Sequence, residues 1–400
     1  MVRVFCILLF CPLVASSITL SLTDIAPRVR AHHPALKAAR LSIDEARGRQ
    51  LGAGRLSNPT LDTSFQNESR VSPRTTVFGI DQSFPLTKRL SLEKQLTRQL
   101  VTAAEHEVRD VERRYIAVAR SLAVKLLALD QQRTLRQQQT ALAQKLADFA
   151  KDRAKVGELS PLDAAQAQVD GQRLLLEARR LEIEAVSLRG ELKPMLGLKP
   201  QDTLALSGQL PSLALPPSQA WQKRADYQLS QTKIEASQTE AALAKAKRMP
   251  DVSAGLFASR EQQDTTPVHT ERTGFVGFRF SIPLPFWNRN QGEIAEKAAS
   301  AERARLESEA LAVQITGEAD TARREMEANA GLVSDTRDKL LPLVIEQTSK
   351  LEKAYESGQS DLLTVLRARE QRLQLEAAAL DAIRDFHLAK IRYESAIGQP

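Results

Sequence analysis

The chain has 400 residues, of which 26% are charged and only 4% aromatic, and its formal net charge is +7. Such a composition suits long solvated helices better than one thick globular core. The positive charges interleave with carboxylates, as on a solvated helix face, and this argues against nucleic acid as a partner.

In chain order, Arg3 precedes an apolar run from Val4 to Val14, broken only by Pro12, and the small residues Ala15, Ser16 and Ser17 follow. Residues 1–17 therefore read as a secretory signal, because the run is too short for a membrane-spanning helix, which takes about 20 apolar residues. An ordinary buried N-terminal helix is the competing reading. Both cysteines, Cys6 and Cys11, lie in this segment, so the rest of the chain offers no disulfide and no thiolate metal site. Leu8-Leu9-Phe10-Cys11 faintly suggests a lipoprotein signal, but a bulky Phe10 before the cysteine argues against lipidation.

The remainder is written twice. Asn58-Pro59 recurs as Met249-Pro250, Ser83-Phe84-Pro85-Leu86 as Ser281-Ile282-Pro283-Leu284, and Leu196-Gly197 as Ile397-Gly398. Val156-Gly157-Glu158-Leu159-Ser160-Pro161-Leu162 recurs as Ser357-Gly358-Gln359-Ser360-Asp361-Leu362-Leu363. A repeat this long is a duplicated domain. The first copy is residues 18–198, the second 218–400, and a Pro/Leu/Ser-rich linker, 199–217, joins them.

Within the first copy the pattern predicts a helix over 24–57, ended by Pro59. Strict alternation then predicts strands over 60–68 and 75–84, with a turn between. A long helix over 87–152 breaks at Gly157, and a shorter one runs from Pro161 to Gly197. The second copy repeats the order: a helix over 218–248, strands over 251–260 and 273–282, a long helix over 289–355 and a last helix over 361–397. Pro342 should kink or interrupt its helix. At 1.5 Å per residue each long helix is roughly 100 Å and each short one roughly 50 Å, so two short helices stack beside one long one. Leu92, Leu96, Leu100, Ala104, Val108, Val111, Tyr115, Val118, Leu122, Leu126 and Leu129 follow steps of three and four, as in a coiled-coil seam.

Each strand has the length of a tilted bilayer-crossing strand, about 9–11 residues. Val276, Phe278, Phe280 and Ile282 share one face; Phe275, Gly277, Arg279 and Ser281 share the other. A surface hairpin capping a coiled coil and a barrel wall between lipid and water both fit this pattern. The hairpin's recurrence and the secretory start favour the wall. Four strands cannot close a barrel, and an open sheet edge is not tolerated in lipid, so several copies would share one; three copies supply about twelve strands.

No catalytic, cofactor or metal site is expected. The histidines His32, His33, His106, His269 and His387 are scattered, and no HExxH, P-loop or nucleophile elbow occurs. Glu105, Glu107, Asp110 and Glu112 lie among arginines on one long helix, which reads as a solvated face.

These features resemble the TolC-like outer-membrane efflux factors over nearly the whole mature chain. The resemblance rests on His33-Pro34-Ala35-Leu36, Ser57-Asn58-Pro59, Gln82-Ser83-Phe84-Pro85-Leu86 and Val156-Gly157-Glu158-Leu159-Ser160-Pro161-Leu162-Asp163. Most specific is Pro283-Leu284-Pro285-Phe286-Trp287-Asn288-Arg289-Asn290-Gln291-Gly292, which is similar to the heavy-metal branch, the cobalt–zinc–cadmium resistance type. The resemblance implies a mainly α fold with transmembrane β: a homotrimer with a twelve-stranded barrel in outer-membrane lipid and a coiled-coil-like helical tunnel in the periplasm. It implies export without catalysis, a periplasmic adaptor and an inner-membrane pump of the resistance-nodulation-division type. A periplasmic adaptor, or a secreted coiled-coil scaffold without a channel, remains the alternative; adaptors usually carry one helical hairpin among β-rich flanks, and this chain carries two.

The resemblance also assigns residues. The tips that meet the adaptor match Gly157, Glu158, Leu159 and Ser160, and Gly358, Gln359, Ser360 and Asp361. A plain connecting turn would need the same glycines. Acidic positions that close the tunnel in relatives fall here on Thr364 and Arg367, and a tyrosine that helps hold the closed state matches Tyr355. Ordinary tunnel lining accounts for these three equally well. A ring of three Arg367 side chains would repel cations, which departs from the family pattern.

Overall fold

In a computed structural model, residues 17–67, 74–217, 220–266 and 269–399 are described. Residues 1–16 of the expected signal and 68–73 of the expected first turn lie outside them. The chain divides into two units: residues 1–38, 109–224 and 313–400 form the first, and 39–108 and 225–312 the second.

The first unit opens with β1 (Ser17–Leu20) and α1 (Leu22–His32). Ser17, placed by the sequence at the end of the signal, is therefore the first residue of a strand. The helix expected over 24–57 is two helices, because α2 (Pro34–Gly52) starts after a break at His33. The proline ring clashes with the residue before it, and His33 is accordingly extended, at φ −62° and ψ 120°. The His33 ring is buried and lies 4.0 Å from the Tyr115 ring.

The hairpins follow: β2 (Thr60–Asn67) and β3 (Arg74–Phe84) precede α3 (Arg89–Lys155), a 67-residue helix. Next come α4 (Pro161–Met195) and β4 (Thr203–Leu206). The segment read as a plain linker thus holds a strand, and β4 pairs in parallel with β1, Ser17 opposite Thr203 and Leu20 opposite Leu206. Ile25, Val29, Leu126, Leu192 and Leu196 pack beside this pair as the main apolar cluster of the unit. Along α3 the expected seam is buried at Ala104, Val108, Leu122, Leu126 and Leu129 but departs at Val118, which is exposed while its neighbours Ile116 and Ala119 are buried.

In the second repeat, the helix expected over 218–248 starts later. A 3-10 turn, Trp221–Lys223, precedes α5 (Ala225–Ala246). Its strands are longer than expected, β5 at Val252–Thr266 and β6 at His269–Ser281. The polar run Glu261-Gln262-Gln263-Asp264 reads as a turn, yet its backbone continues the ladder, since pairing satisfies main-chain groups whatever the side chains are. A helix, α6 (Gln291–Val333), leads into a π-helical stretch, Ser334–Leu340, then α7 (Leu341–Glu356) and α8 (Leu362–Ala396). The π stretch answers Pro342. Proline has no N–H to offer and its ring crowds the preceding turn, so the backbone widens just before it, and the N–H of Leu341 donates to the carbonyl of Thr336, five residues back.

The linker is tied down by α8. His387 is buried, with Nε2 3.0 Å from the carbonyl of Pro211, and the Phe386–Tyr393–Met326 cluster takes Leu213 against it. Burial lowers the pKa of His33, and that of His387, where Lys390 adds to the effect and the Pro211 carbonyl opposes it. Each folded pKa lies below the unfolded value of about 6.5, so the unfolded chain takes up protons first on acidification. The stability this contributes is present above that value and is lost as pH falls through the folded pKa. We expect the melting midpoint to fall between about pH 7.5 and pH 5, and His387→Gln to remove part of that slope. Parallel pH profiles of wild type and variant in thermal melts would refute the assignment.

Candidate functional site: two helical tips and a sheet with two unlike faces

The first unit carries both expected tips, and each is a glycine-closed turn. At the end of α3, Gly157 has φ +78°, and at the end of α7, Gly358 has φ +76°. Both make the same paired bonds. The N–H of Glu158 donates to Arg153 O at 3.0 Å and that of Gly157 to Ala154 O at 3.2 Å; the N–H of Gln359 donates to Ala354 O at 2.7 Å and that of Gly358 to Tyr355 O at 3.0 Å. This is the Schellman arrangement, which needs a left-handed residue and disfavours a Cβ there. The next helix is then capped by a side chain at the matching position. Ser160 Oγ accepts from the N–H of Leu162 at 3.2 Å, and Asp361 Oδ1 accepts from that of Thr364 at 2.6 Å.

The tips differ in their side chains. Glu158 pairs with Arg153, whose guanidinium also lies 5.2 Å from the Phe149 ring centre, and the carboxylate holds the guanidinium pKa above its usual value. The second tip presents Gln359 and Ser360 in place of Glu158 and Leu159. Tyr355 sits against the first tip, its ring 6.3 Å from that of Phe149 and edge-on to it, in a cluster with Ala147, Ala150 and Leu159. Thr364 is half-buried, and Arg367 is exposed on α8 between buried Val365 and Ala368. Sequence reasoning missed Phe149 and Arg153, although an aromatic four residues before an arginine on one helix face was there to be read.

Ion pairs and a side-chain hydrogen bond link the helices of this unit. Arg136 joins α3 to α4 (Glu177, 3.0 Å), Gln132 joins α3 to α8 (Asp381, 2.8 Å), and Arg369 joins α8 to α7 (Glu352, 2.6 Å). On α4, Leu162, Val169, Leu176 and Ile183 recur every seventh residue, and all are 58–77% exposed. Two of the matching positions on α8 are charged instead: Glu370 pairs with Arg173 at 2.6 Å, and Arg384 with Asp381 at 2.6 Å. A heptad row of large apolar side chains in water is a coiled-coil seam without its partner helix.

The second unit carries the sheet, in the order β2-β3-β5-β6, all antiparallel. Its register separates two faces. Leu61, Ile80, Leu256 and Phe278 lie in one row, and Phe78, Ala258 and Val276 in the next on the same face. Asp62, Gly79, Phe257 and Gly277 form a row on the opposite face, and Thr60, Asp81, Gly255 and Arg279 another. Arg279 reaches Asp81 at 3.3 Å and Asp62 at 3.8 Å. The glycines make room here: a Cβ on Gly255 would meet Asp81 Oδ1 at 2.2 Å, and one on Gly277 the Phe257 ring at 2.7 Å. The apolar face is solvent-exposed in the single chain, and Leu284, Phe286 and Trp287 continue exposed apolar surface past the end of β6. Both outer strands, β2 and β6, have a free edge among the described residues. No group of His, Cys, Asp or Glu suited to holding a metal occurs among the described residues. Nor is any described helix long and apolar enough to cross a membrane.

With this geometry in hand, comparison with known proteins is informative. Residues 217–399 match the family model for outer membrane efflux protein. The chain is 24% identical over 372 residues to the cobalt-zinc-cadmium resistance protein CzcC of Cupriavidus metallidurans, covering 91% of this chain and 83% of that one. Its fold resembles the CusC channel with a TM-score of 0.78 at 16% identity, over 95% of this chain and 92% of that one. It also resembles the outer membrane protein VceC of Vibrio cholerae, with a TM-score of 0.75 at 17% identity, over 94% and 96%.

A tip prediction follows from the paired caps. Gly157→Ala or Gly358→Ala puts a Cβ into a left-handed turn and should cost about 1–2 kcal/mol locally. We expect faster amide exchange at residues 153–160 or 354–361 respectively; equal exchange in variant and wild type would show that the glycines are not needed. Residues 217–399 match the outer membrane efflux protein family model, and over nearly its whole length the chain has the fold of the TolC-like outer-membrane channels.

Proposed function

We propose that this chain is the outer-membrane channel subunit of a tripartite efflux system, a homotrimer that exports heavy-metal cations to the exterior and performs no catalysis. One observation carries the reading: a four-stranded sheet, apolar on one face and mostly polar on the other, with both edges unpaired among the described residues. In hydrocarbon every backbone N–H and C=O must be satisfied, so each free edge calls for the edge of another copy. The right-handed twist of sheets then favours closure, and three copies of four strands make about twelve. The polar face with Asp62, Asp81 and Arg279 becomes the wall of the bore, and the apolar face meets lipid. Exposed Phe286 and Trp287 beyond β6 suit the interfacial aromatic girdle of such barrels. The charged helices remain in the periplasm. The unpartnered heptad row on α4 supports further contact between copies.

The two tips serve as the docking points for a periplasmic adaptor joined to an inner-membrane pump of the resistance-nodulation-division type, and energy comes from that pump. Gly157, Glu158, Leu159, Ser160, Gly358, Gln359, Ser360 and Asp361 form these points, and Tyr355, Thr364 and Arg367 line or close the aperture beside them. Likeness to a cobalt-zinc-cadmium resistance protein supports metal cations as the cargo.

Three outcomes are expected. The purified chain in mild detergent runs as a trimer that dissociates on heating; a monodisperse monomer that inserts in bilayers would overturn the shared barrel. A strain lacking the chain becomes sensitive to zinc, cobalt or cadmium, and unchanged resistance to all three would remove metals as cargo. In planar bilayers Arg367→Glu shifts selectivity toward cations, by a factor of a few for each charge reversed near a narrow pore. An unchanged reversal potential would place Arg367 away from the ion path.

A further inference from the structure

The apolar face of the sheet ends in charge that the duct itself does not use. Toward the hairpin turns, the row after Phe78, Ala258 and Val276 holds Phe65, Thr76, Arg260 and Gly274, and the row after that holds Arg74, Gln262 and Arg272. Over residues 60–66, 74–84, 252–262 and 271–281, these three arginines are the only charged side chains on that face. Carboxylates at the same level, Glu261 and Glu271, lie on the opposite face. Arg74, Arg260 and Arg272 are exposed and have no ion-pair partner among the described residues.

Position gives the charge its meaning. An arginine facing lipid costs about 2–4 kcal/mol at the bilayer midplane and about 0–1 at its edge. Three of them within two successive rows, at the turn end of the sheet, therefore mark an edge of the membrane. Strands β2, β3, β5 and β6 run from the helices to the turns, and the helices are too polar for hydrocarbon, so the arginines stand at the far, outward edge. With strands roughly 4.8 Å apart, Arg74 and Arg272 on β3 and β6 lie about 10 Å from each other, and Arg260 on β5 lies about 7 Å nearer the helices. Guanidinium groups at such spacing bind phosphate oxygens through two parallel hydrogen bonds each. A headgroup carrying two phosphates, or two neighbouring headgroups, fits this triangle.

We propose that Arg74, Arg260 and Arg272 form a docking surface for phosphorylated glycolipid headgroups of the outer leaflet. The inference rests on the channel reading above and adds a lipid partner to it. Bound phosphate on three such surfaces would tether the barrel rim to the leaflet around it.

The test uses full-length trimer, wild type and the triple variant R74Q, R260Q and R272Q, floated with vesicles of phosphatidylcholine alone or containing diphosphoryl or dephosphorylated lipid A. Both proteins should insert equally in phosphatidylcholine. Wild type should retain diphosphoryl lipid A through purification at least about tenfold better than the variant, since each arginine at an anionic surface contributes a factor of roughly five. Neither should retain the dephosphorylated lipid, and millimolar inorganic phosphate should not displace the bound lipid. Equal retention by the variant, equal retention of dephosphorylated lipid, or displacement by inorganic phosphate would overturn the proposal while leaving the channel intact. Failure of wild type to enter phosphatidylcholine vesicles would instead overturn the channel reading, and this inference with it.

Discussion

The free edges of one four-stranded sheet constrain everything else about this protein. A sheet edge in water is tolerable, because water completes its hydrogen bonds. If the face bearing Leu61, Ile80, Leu256 and Phe278 lies in lipid, as the channel reading has it, that solution is not open, since hydrocarbon holds no water. The apolar face and the unpaired edges are thus coupled demands. Lipid satisfies the first and only another sheet edge satisfies the second. On the proposed channel reading, assembly then follows from the hydrogen-bond inventory of each chain, before any helix contact is considered.

Small residues carry this design where space is short. Gly255 and Gly277 leave room on the polar face for Asp81 and Phe257, so the wall accepts bulky side chains without spreading its strands. At the other unit, alanines such as Ala147, Ala150, Ala164 and Ala167 let helices meet closely around Tyr355. Such a contact buries little area per residue, and each of the many exposed ion pairs along the helices adds little. The two repeats keep the backbone devices in common, the paired glycine turns and N-caps, and diverge in the side chains laid over them. Leu159 became Ser360, and Val169 became Glu370.

Much of this was legible in the sequence because the signals are local. Gly157 and Gly358 punctuate a helical pattern, and Leu61-Asp62-Thr63-Ser64-Phe65 alternates cleanly. Features that depend on distant partners were not legible. Ser17–Leu20 and Thr203–Leu206 are four-residue strands, one starting at the last residue of the expected signal and one inside an expected linker, and only their pairing makes them strands. The polar continuation of β5 to Thr266 has no apolar alternation to read. At the tips, the sequence located the turns, and the packing of Tyr355 onto Phe149 came from the fold, since those residues belong to different repeats.

The β1–β4 pair also bears on how the chain acquires its structure. Ser17–Leu20 is complete long before Thr203–Leu206 has been delivered, and between them lie both strands of the first hairpin and the whole of α3 and α4. A contact between such remote segments forms late, because closing a long loop is entropically costly until the intervening elements have shortened it. The first repeat therefore cannot seal its own beginning until the segment leading into the second has emerged. A chain halted at residue 198 would lack the strand that pairs with its first one, so completion of one half is tied to arrival of the other.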